Sequence, residues 1–201
     1  MFGFTDIDVI ALAAGYLFGS IPFGLILTRM AGLGDIRNIG SGNIGATNVL
    51  RTGNKPLALA TLLLDGAKGA IAIYVATKLT SDPDSIALAG LAALLGHIFP
   101  IWLKFNGGKG VATSMGVVLA IHWPAGLIFM GTWVLALLIF RISSFSALIA
   151  SALTPLIVTF TVDLKYGLFA IALTLGIYVR HIENIKRIFA GTEPKIGKSK
   201  K

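Results

Sequence analysis

No cysteine occurs in the 201 residues, which excludes disulfides, thiolate metal sites, thioester intermediates and cysteine nucleophiles together. Charge is also scarce, at 13 % of the residues, and acidic charge scarcest, with nine Asp and Glu against seventeen Lys and Arg. There are three histidines, His97, His122 and His181. No grouping of His, Asp and Glu has metal-ligand spacing, so neither a metal nor another cofactor is predicted. The N-terminus, Met1-Phe2-Gly3-Phe4-Thr5-Asp6-Ile7-Asp8, has no lysine or arginine before the first apolar run, which argues against a cleaved signal peptide.

Apolar residues, by contrast, are abundant. They make up 55 % of the chain, with a mean hydropathy of +0.84, too apolar for a water-soluble fold of this length. Runs lie at about 8–30, 57–79, 85–103, 111–122, 124–140, 146–162 and 166–180. Helix is the natural reading, because lipid demands that the backbone satisfy its own hydrogen bonds. The expectation is one all-α membrane domain over 1–201, with seven transmembrane helices. Residues 111–140 could instead form one long helix, but a break at His122-Trp123-Pro124 suits the charges better. With seven spans and the N-terminus outside, Arg29, Arg37, Arg51, Lys55, Lys104, Lys109, Arg141, Arg180, Lys186, Arg187 and the Lys-rich C-terminus all fall on the cytoplasmic side. Lys78 and Lys165 alone stay outside, as the positive-inside bias requires. That topology accounts for the net charge of +8 without a nucleic-acid partner.

The longest polar stretch, 31–56, contains Ser41-Gly42-Asn43-Ile44-Gly45-Ala46-Thr47-Asn48 and then Arg51. Glycines there free the backbone to turn successive N–H groups toward an anion, and Arg51 adds fixed charge. The spacing of Gly40, Gly42 and Gly45 matches G-x-G-x-x-G, and Gly40 to Thr47 nearly matches a Walker A loop with Ala46 in place of lysine. Neither match identifies a nucleotide site, since a membrane helix precedes this loop where a strand would be needed. A second loop, Gly107-Gly108-Lys109-Gly110, places small residues and a lysine at a helix start, where backbone donors, the helix dipole and an ammonium group would converge. Beyond the last run, helical spacing sets Arg180, His181, Asn184 and Arg187 on one side, with His181 and Asn184 able to orient a hydroxyl. Arg141, Ser143, Ser144 and Ser146 add a charge and three hydroxyls on the same membrane face, and equally suit a topology-setting turn with capping serines. Asp65 and Lys68, inside the second run at i, i+3, are expected to pair.

The stretches SGNIGATNVLR at 41–51, HIFPIWLKFNGGKGVAT at 97–113 and RHIENIKRIFAGTE at 180–193, with GSIPFG at 19–24 and LDGAKG at 64–69, closely resemble the bacterial acyl-phosphate:glycerol-3-phosphate acyltransferase family. The resemblance implies an enzyme of the bacterial cytoplasmic (inner) membrane, with its active site facing the cytoplasm. It would transfer a fatty acyl group from acyl phosphate to the 1-hydroxyl of sn-glycerol 3-phosphate, giving lysophosphatidic acid and inorganic phosphate. Carried over, it points to Ser41, Thr47, Asn48 and Arg51, to Gly107, Gly108 and Lys109, and to His181 and Asn184. Lys109, Arg51, His181, Asn184 and Ser41 are the expected catalytic set. Gly42, Asn43, Gly45, Thr47, Asn48, Gly107, Gly108 and Ser146 join them in binding the substrates. The residues five after each histidine are Trp102, Leu127 and Lys186, so there is no H-x-x-x-x-D motif and no Ser-His-Asp set. Direct attack without an acyl-enzyme follows. A transporter or flippase of organic phosphates remains an alternative, as does a scaffold binding anionic lipid head groups through the Lys-rich tail.

Overall fold

The computed structural model describes residues 5–197. The first four residues, part of the signal-peptide reading, and the tail Lys198-Ser199-Lys200-Lys201 lie outside the described residues. Ten α-helices occur in this span, and no strand does. They are α1 (Asp6–Ser20), α2 (Phe23–Met30), α3 (Ala46–Val49), α4 (Lys55–Leu79), α5 (Pro83–Ile98), α6 (Val111–Ile121), α7 (Trp123–Phe140), α8 (Ser143–Thr161), α9 (Leu164–Arg180) and α10 (Ile182–Phe189). The starts are written locally. Thr5 and Asp8 form a reciprocal capping box on α1, Asn54 caps α4, Asp82 caps α5 and Asp163 caps α9, each accepting from a backbone N–H that the helix cannot satisfy itself.

Each of the seven expected apolar runs contains helix, but length separates them. Five stretches are long and apolar enough to cross a membrane, Asp6–Met30 counting as one, and the bent pair α9 and α10 makes a sixth. Helix α6 has 11 residues, about 16 Å of rise against a hydrocarbon core of about 30 Å. The helix does break at His122, between α6 and α7. The chain also divides there into two compact units, one ending at Ile121 and the other beginning at His122.

In the first unit α1 packs on α5, α4 on α6, and α1 on α4. Small residues set these distances. A Cβ on Gly15 or Gly19 would overlap the Ala89 or Ala93 carbonyl of α5, and one on Gly96 the Tyr16 carbonyl of α1. Such small-residue seams let helices approach closely where lipid removes the hydrophobic drive to associate. The paired positions run in the same direction, so α1 and α5 are parallel and the segments that follow them emerge at one end. Tyr16 Oη donates to the Phe99 carbonyl (2.8 Å) and Trp102 Nε1 to Ser20 Oγ (2.8 Å) at that end. The stretch 31–54 is folded rather than slack. Ile36, Ile44 and Val49 are buried with Leu25 of α2 and Ala58 of α4 in a small apolar core. In the second unit α8 packs between α7 and α9, and α10 lies against α8 and α9.

Candidate active site

The loop at 31–54 is built around Asn48. Its side chain is buried, donates to the carbonyls of Ile36 (2.9 Å) and Ile39 (2.8 Å), and accepts from the Ser41 N–H (3.0 Å). Ser41 Oγ also lies 3.4 Å from Asn48 Oδ1. Gly42 N–H closes a turn on the Ile39 carbonyl (3.0 Å), and Gly45 begins α3. Gly40 has φ 60°, and a Cβ there would overlap Asn48 Oδ1 and the Arg51 side chain, so this turn tolerates glycine alone. The expected row of outward N–H groups is therefore corrected at Ser41 and Gly42, whose amides are engaged within the loop. Asn48 is a loop staple. The groups this loop presents are the Ser41 hydroxyl and the Arg51 guanidinium, both exposed, with Asn43 and Thr47 half-buried. Asp35 anchors the loop's entry by accepting from Arg29 Nη2 (2.8 Å) and Arg37 Nη2 (2.6 Å). The Arg37 bond, reinforced by the Arg29 bond, holds the Asp35 carboxyl well below the usual carboxylate range.

The second loop meets the first through Leu103, which packs on the core of Leu25, Ile36, Ile44, Val49 and Ala58. Lys104 and Phe105 both take positive φ, 51° and 62°, turning the chain sharply back toward α5. Gly107 N–H then donates to the Ile98 carbonyl and Gly108 N–H to the His97 carbonyl, each at 3.0 Å. These bonds satisfy carbonyls that the end of α5 leaves open. A Cβ on Gly107 would overlap the His97 carbonyl, and one on Gly108 the His97 ring. The two glycines are thus required for close approach. The expectation that their amides point at an anion is corrected, because α5 takes them. Lys109 follows, half-buried, one residue before the turn glycine Gly110 and the start of α6.

The second unit holds the remaining residues, and here the structure revises the sequence reading most. The last helix does not run through. It breaks at His181, with a bend of 65° between α9 and α10, so Arg180 and Asn184 do not share one continuous helical face. His181 is buried, and its Nδ1 sits 2.8 Å from the Ile177 carbonyl. A carbonyl only accepts, so Nδ1 carries the proton and, in the neutral ring, Nε2 is the acceptor nitrogen. Asn184 is buried and its amide donates to Glu193 Oε1. Ser144 Oγ donates to the same oxygen (2.6 Å), and Arg187 Nε to Glu193 Oε2 (2.7 Å). Burial alone would push the Glu193 carboxyl up, but the hydrogen bonds from Ser144, Asn184 and Arg187, with the Arg187 charge, hold it below the usual glutamate range. The sequence reading does not single out Glu193 as the partner of these side chains. The available signal was one carboxylate just past the turn glycine Gly191 (φ 68°), behind a basic helix. Ser146 is buried and bonds back to the Ile142 carbonyl (2.9 Å), as a first-turn helical serine does.

Among the described residues no group of His, Asp and Glu could hold a metal ion. The first unit thus carries the cations Arg51 and Lys109 and the hydroxyls of Ser41 and Thr47, and the second a buried histidine whose Nδ1 donates to a backbone carbonyl. The family profile described as Glycerol-3-phosphate acyltransferase matches residues 9–191, running through both units. A curated relative, the glycerol-3-phosphate acyltransferase of Paramagnetospirillum magneticum, is 58 % identical over 193 residues, covering 96 % of this chain and 96 % of its own. Among solved structures, PlsY (YgiH), an integral membrane glycerol 3-phosphate acyltransferase, superposes in its glycerol 3-phosphate form with a TM-score of 0.89 at 35 % identity, covering 94 % of this chain and 96 % of that one. Its lysophosphatidic acid form gives 0.87 at 34 %, covering 94 % and 95 %. The apolar helices described above, in a chain with this likeness, make it a multi-pass membrane protein.

Proposed function

The chain belongs to the glycerol-3-phosphate acyltransferase family, and on that premise we propose that it transfers a fatty acyl group from acyl phosphate to the 1-hydroxyl of sn-glycerol 3-phosphate. The products are lysophosphatidic acid and inorganic phosphate. The observation that carries this reading is the pair of basic loops in the first unit, one bearing Arg51 and one Lys109, joined through Leu103 at one end of an apolar helix bundle. Both substrates carry a phosphate and one carries a long acyl chain, which suits cations at the end of a membrane-embedded unit.

In the proposed reaction the hydroxyl oxygen attacks the acyl carbonyl carbon, the carbon–oxygen bond to phosphate breaks, and the phosphate leaves with that electron pair. An acyl phosphate is an activated anhydride, so alignment and charge stabilisation are the main requirements. Lys109 and Arg51 bind phosphate and stabilise developing negative charge, while Ser41 and Thr47 offer hydroxyls to the substrates. Gly42, Asn43, Gly45, Asn48, Gly107 and Gly108 shape the two loops. Asn184 is held by Glu193, and the Ile177 carbonyl holds His181 through Nδ1. The hydroxyl proton passes to an oxygen of the acyl phosphate, which is basic enough and already adjacent. Seven spans, an external N-terminus and an active site facing the cytoplasm of a bacterial inner membrane complete the proposal. The clustering of basic residues at alternate connections supports that orientation.

Purified protein given acyl phosphate and glycerol 3-phosphate is expected to release lysophosphatidic acid and phosphate in equal amounts. Folded protein that makes neither refutes the activity, and product formed only with an acyl thioester refutes the donor. Lys109→Ala is expected to lower the rate more than ~100-fold, the scale of losing a main electrostatic stabiliser; a near-normal rate removes Lys109 from the site. His181→Ala that binds both substrates yet loses turnover would transfer the proton to His181 instead.

A further inference from the structure

The LDGAKG stretch of α4 plays no part in the chemistry above, yet it buries two charges. Asp65 and Lys68 are 3 % and 2 % exposed, and His97 of α5, beside them, is 4 % exposed. Asp65 Oδ1 lies 2.8 Å from Lys68 Nζ and 3.8 Å from His97 Nδ1. Lys68 Nζ also donates to the Ile21 carbonyl (2.8 Å) and sits 5.9 Å from the centre of the Phe23 ring. That carbonyl lies at the break between α1 and α2 at Ile21-Pro22, where it also accepts from the Phe23 N–H (3.1 Å) while the Leu25 N–H turns to the Pro22 carbonyl (3.1 Å).

A buried ion pair is a poor way to gain stability alone, since apolar residues of similar volume serve as well or better. The placement of this one says more. Asp65 touches both anchors of the loop that carries Lys109. Its carboxylate faces His97 in the last turn of α5, and its backbone carbonyl accepts from Thr113 Oγ1 (3.0 Å) in the first turn of α6. Gly69 and Gly66 bring α4 against α6 at the same level, where a Cβ on Gly69 would overlap the Thr113 carbonyl and one on Gly116 the Gly66 carbonyl. His97 is in turn the seat of the loop, its ring lying under Gly108 and its carbonyl holding the Gly108 N–H.

We propose that Asp65, Lys68 and His97 form a buried positioning unit that sets the Gly107–Gly110 segment, and through it Lys109, against the phosphate of a bound substrate. The substrate half of this statement rests on the function proposed above. A misplacement of about 1 Å in such a segment is enough to cost on the order of 100-fold in rate, so an interior ion pair has a reason to persist where an apolar pair would fold as well.

The test is the double variant Asp65→Leu/Lys68→Met beside the single variants Asp65→Asn and Lys68→Met, each read by thermal unfolding, hydrogen exchange and kinetics. The singles leave a charge buried alone and are expected to lower the melting temperature, while the double regains most of it. The double is nevertheless expected to lose at least ~10-fold in kcat/KM, with KM raised for one phosphorylated substrate. The Gly107 and Gly108 amides are expected to exchange at least ~10-fold faster, with the α1 amides unchanged. Wild-type kcat/KM in the double overturns the proposal, whatever the exchange does. If the double does not fold, His97→Phe keeps a ring in the seat and is expected to show the same loop-specific exchange and KM effect; wild-type behaviour there overturns it too. Should the unmodified protein make no product, the proposed function fails separately, and unchanged loop exchange then still refutes the positioning role.

Discussion

Replacing Glu193 with alanine removes one acceptor group from three side-chain donors at once. Ser144 and Asn184 are buried, at 8 % and 5 % exposure, so each loses the carboxylate acceptor it donates to away from water, at about 1–2 kcal/mol apiece. The Arg187 side chain is 41 % exposed, and water screens its loss to about 0.5 kcal/mol. The sum is about 2.5–4.5 kcal/mol. For a chain of this size each kcal/mol moves the midpoint by about 2–4 °C, so Glu193→Ala is expected to melt about 10 °C lower. Tryptophan fluorescence during heating of the detergent-solubilised protein reads the shift. Glu193→Gln keeps the shape and one acceptor oxygen and is expected to lose about half as much. Adding Ser144→Ala to Glu193→Ala should cost little more, because the donor it removes has already lost its acceptor. The Glu193 carboxyl is held below its usual range in the folded protein. Its charge therefore stabilises fully above the unfolded pKa of about 4.3 and loses effect only as pH falls through the lower folded value. The gap between wild type and Glu193→Gln should stay level from pH 8 to about 5 and narrow in stronger acid. An alanine variant melting within about 2 °C of wild type would refute the polar clamp.

Two further outcomes follow from close approach and from surface charge. Gly19→Ala drives a Cβ into the Ala93 carbonyl, a backbone atom that cannot rotate away, and should cost about 1–3 kcal/mol by thermal unfolding. Gly131→Ala, in α7 where a Cβ meets open space, should be neutral or gain up to about 1 kcal/mol; equal effects at the two positions would refute the seam. Asp35→Asn should change stability by less than about 1 kcal/mol, since its arginine partners are largely solvated. It should nevertheless speed exchange of the Arg37 N–H, which Asp35 accepts at 3.0 Å, and unchanged exchange would show that Asp35 does not anchor the loop.

What could be read in the sequence was what depends on local pattern or on solvent. Runs of apolar residues dictate helices in lipid, and each expected run contains one. The i, i+3 spacing of Asp65 and Lys68 predicted their pairing, since two charges one turn apart in an apolar run have no cheaper partner. The motifs themselves pointed to the family.

Tertiary structure decided how the loop backbone is used. From sequence, glycines at 42, 107 and 108 and the serine between Gly40 and Gly42 suggested amides aimed at an anion. In the fold these four amides are engaged by Ile39, Ile98, His97 and Asn48, and Gly107 and Gly108 are glycines because α5 leaves no room for a Cβ. A glycine's sequence does not say whether its freedom serves a turn, a ligand or a neighbouring helix, because only the neighbour distinguishes these. The same holds for the break at His181 and for Glu193, whose donors stand on α8 and α10, 49 and 9 residues away in the chain. The sequence by itself determined that this is a helical membrane protein with basic loops. Which groups those loops leave exposed was decided by packing at a distance.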